Sequence, residues 1–182
     1  MSFLAKIGIT LALLSNCYAL SGQDRSDLSA FESFFQEQDL RPVEKVLHDA
    51  NMRLEQAIEI ADAQAQAHAS KVLGLIYLTR THDNEKAMDF FIHALAIEDS
   101  LNLHDEQVLT YVAIARVFEG VGDCYYSAQF LDKALKLNDR QGDFDVLVMI
   151  LNNLGKVNAA SGAVEKAFES YQRVLKYKRD IK

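Results

Sequence analysis

The chain has 182 residues, 49% of them hydrophobic and 25% charged, and a formal net charge of −7. This length suits one ordinary domain or one short repeat array, and there are enough apolar residues to bury a core. The acidic balance argues against nonspecific binding to nucleic acid or to anionic membranes, because both require a basic protein surface. A single proline favours long, uninterrupted helices.

The first 19 residues have the layout of a secretory signal peptide. Lys6 precedes the apolar run Ile7–Leu14, and the small residues Cys17 and Ala19 fit a cleavage after Ala19. The run is shorter than the roughly 20 residues that a spanning helix needs, so we predict no transmembrane span. The protein is therefore predicted to be exported, to the periplasm or outside the cell. Two alternatives are open: a lipoprotein anchored at Cys17, and an apolar helix packed on the domain.

Residues 20–27 are polar and are predicted to form a disordered linker, followed by one domain over residues 28–182. Apolar residues at helical spacing predict a short amphipathic helix over Asp27–Gln38. Pro42 suits the first position of a second helix, which is predicted to end near Ala63.

Further helices are predicted in pairs, with Asp83 or Asn84 as an N-cap. First helices are expected over Gln66–Thr79 and around Ile114–Ala115 and Leu154–Gly155. Second helices are expected over Glu85–Leu101, Tyr125–Asn138 and Val164–Lys178.

A period of 40 residues relates the second helices to one another. Ala87, Ser127 and Ala167 are 40 residues apart, and the same step relates Phe91 to Leu131 and Tyr171, and Ala94 to Ala134 and Val174. A small, a large and a small residue on one stripe let two helices approach closely. The first helices step by 41 residues from Gly74 to Ala115 and by 40 to Gly155. We assign the additional residue to the loop between Ala94 and Tyr111.

The order Leu-Gly-x-x-Tyr followed by Ala-x-x-x-Phe-x-x-Ala resembles the tetratricopeptide repeat (TPR). The first copy is Leu73, Gly74, Tyr77, Ala87, Phe91 and Ala94; the second is Tyr111, Ile114, Ala115, Phe118, Gly122, Ser127, Leu131 and Ala134; the third is Leu151, Leu154, Gly155, Gly162, Ala167, Tyr171 and Val174. Ala50, Leu54 and Ala57 resemble the second helix of a degenerate N-terminal copy. The resemblance covers residues 42–175.

This resemblance implies an all-α fold, an α-α superhelix (TPR solenoid) of about three full repeats plus the degenerate one. The usual repeat has about 34 residues and a closing proline. The longer unit without that proline resembles the variety found in kinesin light chains, cell-polarity adaptors and the sensory halves of some bacterial signalling proteins. Asn158 replaces an expected aromatic residue, which predicts a looser last repeat or a polar contact.

The resemblance also implies that the first helices line a concave groove that binds a peptide or a partner protein. The matching positions are His68, Lys71 and Leu75 in the first copy, Leu109, Val112 and Arg116 in the second, and Met149, Asn152, Asn153 and Lys156 in the third. The cations among them suit an acidic or carboxylate-bearing segment, and asparagine amides can hold an extended backbone. The alternative is that these are solvated residues in pairs along each helix.

The sequence gives no indication of an enzyme or a cofactor site. We find no Ser/His/Asp order, glycine-rich phosphate loop or metal-ligand spacing. Glu98 and Asp99 near a helix end are expected to be solvated, and Asp143 and Asp145 to cap a helix. Cys124 is expected to be a half-buried helix residue.

Two functions are consistent with these observations. The first is an exported, non-enzymatic scaffold for protein binding. The second is a sensory or regulatory TPR module of a bacterial signal-transduction protein whose output domain is absent from this chain. Phe168 and Leu175 are expected to be partly exposed on the last helix. We therefore expect this end to form a homodimer or to be covered by another segment.

Overall fold

The computed structural model describes residues 41–138 and 144–180, and the described part is all-helical. Its seven helices are α1 (Val43–Glu59), α2 (Ala63–Ile76), α3 (Asn84–Ser100), α4 (His104–Gly120), α5 (Cys124–Asn138), α6 (Phe144–Ala160) and α7 (Val164–Asp180). The predicted signal peptide, the linker, the helix over Asp27–Gln38 and the cap at Asp143 lie outside the described residues.

The helices pack as an array of helical hairpins. Each helix packs mainly against the helices immediately before and after it in the chain, and successive helices are antiparallel. The three hairpins are α2–α3, α4–α5 and α6–α7, and α1 precedes them as an additional second helix. The all-α, pairwise arrangement predicted from the 40-residue period is therefore confirmed. The predicted N-cap at Asp83 is also confirmed, because its side chain accepts a hydrogen bond from the backbone N–H of Lys86.

Helix α1 ends at Glu59, earlier than the sequence predicted. Ala61 adopts a left-handed conformation with φ 54°, and its N–H donates to the carbonyl of Ile58. The N–H of Asp62 then donates to the carbonyl of Ala57, which closes the helix in the manner usual for a C-terminal glycine. The Asp62 side chain accepts from the N–H of Ala65 and so starts α2. Because alanine is not a residue that signals a helix end, the sequence predicted a helix continuing to Ala63.

The additional residue of the first unit lies inside its hairpin, and not in the loop between Ala94 and Tyr111 as predicted. Residues Tyr77–Thr81 form a π-helical turn at the end of α2. The N–H of Asp83 closes this end on the carbonyl of Tyr77, six residues back, whereas Asp123 closes α4 on Phe118, five residues back. A one-residue insertion within a helix is accommodated as such a π bulge, which preserves the packing on either side.

Small residues on the first helices allow large residues on the second helices to approach them. Phe91 and Tyr171 lie so close to α2 and α6 that a Cβ atom at Gly74 or Gly155 would come within 2.5 Å of a ring carbon. In the second hairpin, Ala115 and Leu131 occupy the equivalent positions, and both are buried. The same space is thus filled by a glycine with an aromatic ring in two units and by an alanine with a leucine in one.

Ring stacking joins the two helices of the first two hairpins near their turns. Tyr77 stacks on Phe90 with 5.5 Å between ring centroids, and Phe118 stacks on Phe130 at the same distance. The third hairpin has Asn158 at the level of Phe118, so this stack has no counterpart in α6–α7. Whether its absence loosens the last hairpin stays a prediction.

Candidate functional site

The first helices α2, α4 and α6 lie side by side and run in the same direction. Two ion pairs connect them directly: Lys71 of α2 with Glu106 of α4, and Lys156 of α6 with Glu119 of α4 at 2.5 Å. The predicted binding positions occur on all three helices and are related by the repeat period. A segment bound across this face would therefore meet equivalent positions of successive hairpins in turn.

Exposure divides the eight predicted partner-binding residues into three groups. His68 and Lys156 are exposed; Arg116, Asn152 and Asn153 are half-buried; Lys71, Leu75 and Val112 are buried. The neighbouring positions Leu109 and Met149 are buried as well. Leu75 and Val112 thus pack in the hydrophobic core, whereas the resemblance places them on an open groove. Partner binding by the eight residues stays a prediction, and the ones that a partner can reach are His68, Arg116, Asn152, Asn153 and Lys156.

Lys71 is not a solvent-facing cation but the centre of a buried ion cluster. It is only 4% exposed, and its Nζ donates to Glu98 Oε1 at 3.2 Å and to Glu106. The hydroxyl of Thr110 also donates to Glu98 Oε1, at 2.9 Å. The cluster joins α2, α3 and α4, so it ties the first hairpin to the second.

The prediction that Glu98 is solvated is wrong, because its side chain is completely buried. Desolvation raises its pKa above the usual value, and the charge of Lys71 and the bond from Thr110 oppose this effect. A buried carboxylate without such partners would be strongly destabilising. This ion pair could not be predicted from the sequence, because Lys71 and Glu98 lie 27 residues apart in different helices.

One of the two adjacent asparagines on α6, Asn153, is stabilised by a hydrogen bond within its own helix. The side-chain amide of Asn153 donates to the carbonyl of Met149 one turn earlier, at 2.9 Å. Asn51 makes the same contact with Leu47 in α1, which is not a first helix. Asparagine within a helix can thus be accommodated by its own backbone. Asn153 still lies on the predicted binding face, but the presence of two asparagines inside a helix is no longer by itself an indication of a partner.

A cleft of about 530 Å³ opens between α1 and α2, and it contains His68. The polar side chains around it come from both helices and from the start of α4: Arg53, Gln56, Asp62, Gln64 and Glu106. Its apolar wall includes Ala50, Ala57, Ala69 and Val72. The sequence analysis missed this cleft, because α1 was recognised only by its packing residues. The signal that could have found it is the alternation of Arg53 and Gln56 with Ala50 and Ala57 along one helix.

Within the described ranges, no three His, Cys, Asp or Glu side chains converge as a metal site would require. Among the same residues, no helix is both long enough and apolar enough to cross a membrane. Cys124 is a free thiol of intermediate exposure at the start of α5.

Comparison with known proteins leaves this chain without an assigned family. No protein-family model matches the sequence, and no curated protein matches it. The fold and its side chains therefore carry the functional argument.

Proposed function

We propose that this protein is a non-enzymatic scaffold, related in architecture to TPR proteins, that binds an extended segment of a partner protein. The observation that carries the proposal is the parallel alignment of α2, α4 and α6, which distributes the exposed His68 and Lys156 and the half-buried Arg116, Asn152 and Asn153 over three successive first helices. An extended chain bound along such a face presents a residue to each hairpin in turn. Export to the periplasm, as the N-terminal sequence predicts, would place the partner in that compartment.

The partner segment is proposed to enter the cleft beside His68 and to continue toward Lys156. Arg53 and His68 offer donors in the cleft, and Lys156 remains 65% exposed although it pairs with Glu119. These groups suit a carboxylate-bearing segment. Lys71 does not contribute, because Glu98 and Glu106 already neutralise it.

Selection of peptides from a random display library on the purified protein tests the proposal. Binders are then measured against a double variant, Arg116→Ala with Asn153→Ala, and against His68→Ala. We expect each of the two variants to weaken binding about tenfold or more, which corresponds to about 1.4 kcal/mol. A matched double variant on the exposed side of α5, Gln129→Ala with Lys136→Ala, controls for nonspecific effects.

Binding that is unchanged in both test variants, or equally weakened in the α5 control, would contradict the proposed surface. The sensory-module alternative predicts the same surface and differs in requiring an output domain.

A further inference from the structure

The outward face of α7 carries a stripe of five residues, which we call the α7 stripe. Its members are Glu165, Phe168, Gln172, Leu175 and Arg179, and all of them are exposed. Their spacing alternates between three and four residues, which places them on one side of a helix. Phe168 is 54% exposed and Leu175 is 39% exposed, as the sequence predicted.

The repeat register shows what kind of surface this is. The residues equivalent to Phe168 and Leu175 are Ala128 and Leu135 in α5, and Met88 and Leu95 in α3. All four of those equivalents are partly buried against the hydrophobic core. Both α3 and α5 pack against the first helix of the hairpin that follows them. Phe168 and Leu175 therefore occupy the positions at which the other second helices receive another helix, whereas the residues equivalent to Glu165 and Gln172 stay exposed in α3 and α5.

The order of chemical groups along the stripe identifies the helix that fits it. From the N-terminal end the order is acid, apolar, amide, apolar, base. Read in the opposite direction, the amide position coincides with itself, the acid faces the base, and the apolar positions fall within one residue of each other. A two-fold axis through Gln172 thus pairs Glu165 with Arg179 of a second copy, and Phe168 with Leu175 of that copy. The two Gln172 amides meet at the axis, where each can donate and accept.

We propose that α7 forms an antiparallel helix pair with α7 of a second copy of this chain, making a two-fold symmetric dimer. A symmetric interface of this kind requires a surface that is complementary to itself, which the α7 stripe is. A parallel pair would instead set Glu165 against Glu165 and Arg179 against Arg179. The stripe is on a second helix, so the dimer is independent of the surface proposed to bind a partner and brings two copies of that surface together.

Analytical ultracentrifugation of the purified protein, from micromolar to hundreds of micromolar concentration, tests the proposal. One helix pair is a small interface, so we expect a monomer–dimer equilibrium that depends on concentration. Glu165→Arg and Arg179→Glu are each expected to weaken association tenfold or more, because each places like charges opposite one another. The double variant carrying both changes is expected to restore association, since the acidic and the basic residue of each pair only exchange places.

The exposed Glu85 of α3 provides a matched control, and Glu85→Arg is expected to leave association unchanged. Circular dichroism confirms that each variant keeps its helices. A native protein that stays monomeric at all concentrations would overturn the proposal. Association that neither single variant weakens, or that the double variant fails to restore, would equally overturn it, because only an antiparallel pair places Glu165 opposite Arg179.

Discussion

Gly155 shows how one hydrogen atom in place of a methyl group sets the distance between two helices. The Tyr171 ring fills the space that a side chain at residue 155 would need. Glycine lowers the intrinsic stability of a helix by up to about 1 kcal/mol relative to alanine. The packing of the buried ring against α6 offsets that cost, so the glycine and the aromatic residue act as one unit.

Gly155→Ala is therefore expected to destabilise the protein by about 1–3 kcal/mol, because the ring or the helix must move. The double variant Gly155→Ala with Tyr171→Leu reproduces the Ala115–Leu131 pair of the second hairpin and is expected to recover much of this loss. Urea denaturation measures both effects, and a strictly additive double variant would refute the pairing. Gly120→Ala is the control: its nearest neighbour would lie 3.8 Å away, so we expect no loss.

Glu98 links the stability of the protein to pH through its burial. Its pKa in the folded protein is raised above the ordinary value of about 4.5, chiefly by desolvation. The folded state therefore retains a proton that the unfolded chain releases. Stability falls as the pH rises from about 4.5 to the raised pKa, and above that pKa the loss is complete and constant.

Glu98→Gln removes this titration and should make the protein relatively more stable as the pH rises. We expect the difference in unfolding free energy between the variant and the native protein to increase from acid to neutral pH. Each unit by which the pKa is raised contributes about 1.4 kcal/mol to that increase. Denaturation at a series of pH values measures it, with Glu85→Gln at an exposed site of α3 expected to give a flat difference. A difference for Glu98→Gln that is flat or decreases would contradict the buried carboxylate.

At the scale of the element, one closing turn recurs along the chain. The helices α1, α3, α4 and α6 all end with a residue at positive φ followed by a hydrogen bond back to the last turn. The residues at positive φ are Ala61, Asn102, Gly122 and Gly162. Glycine suits this conformation, asparagine tolerates it, and alanine is strained in it by about 1 kcal/mol or more.

Ala61→Gly is expected to stabilise the protein by about 1 kcal/mol, because it relieves the strain while keeping the closing bond from Asp62 to Ala57. Ala159→Gly, at an exposed position in the last turn of α6, is expected to destabilise it by a similar amount. The two substitutions are chemically identical, so thermal unfolding should show opposite shifts. Two shifts of the same sign would contradict the assigned end of α1.

The helices could be predicted where a repeated residue pattern marks them in the sequence, and less well where only a change in spacing does. The helix pairs and the packing residues Gly155 and Tyr171 follow from a periodic pattern that the sequence displays directly. The additional residue that forms the π turn at Tyr77–Thr81 was assigned to the wrong segment, although Gly74 and Ala87 are one residue farther apart than Ala115 and Ser127. Comparing spacings within each hairpin, and not only between first helices, would have located it.

At the scale of the whole molecule, the predicted groove shows that local sequence patterns do not predict which side chains are buried. The repeat register placed Lys71 and Val112 at groove positions, but it carries no information on what each side chain meets in space. The cluster of Lys71 with Glu98 depends on three helices and on distances set by their packing. Burial of a charged residue is therefore a property of the assembled array, and only its structure reveals it.

The array also determines how a local change should spread through the molecule. Because each helix packs mainly on its sequence neighbours, a weakened hairpin should affect distant hairpins less than itself. We expect Tyr171→Leu to reduce amide protection most in α6 and α7, and Phe91→Leu to reduce it most in α2 and α3. Native-state hydrogen exchange read out by peptide mass spectrometry compares this matched pair. Equal loss of protection in all seven described helices for both variants would instead show that the hairpins open only as a single cooperative unit, which would contradict the expected local effect.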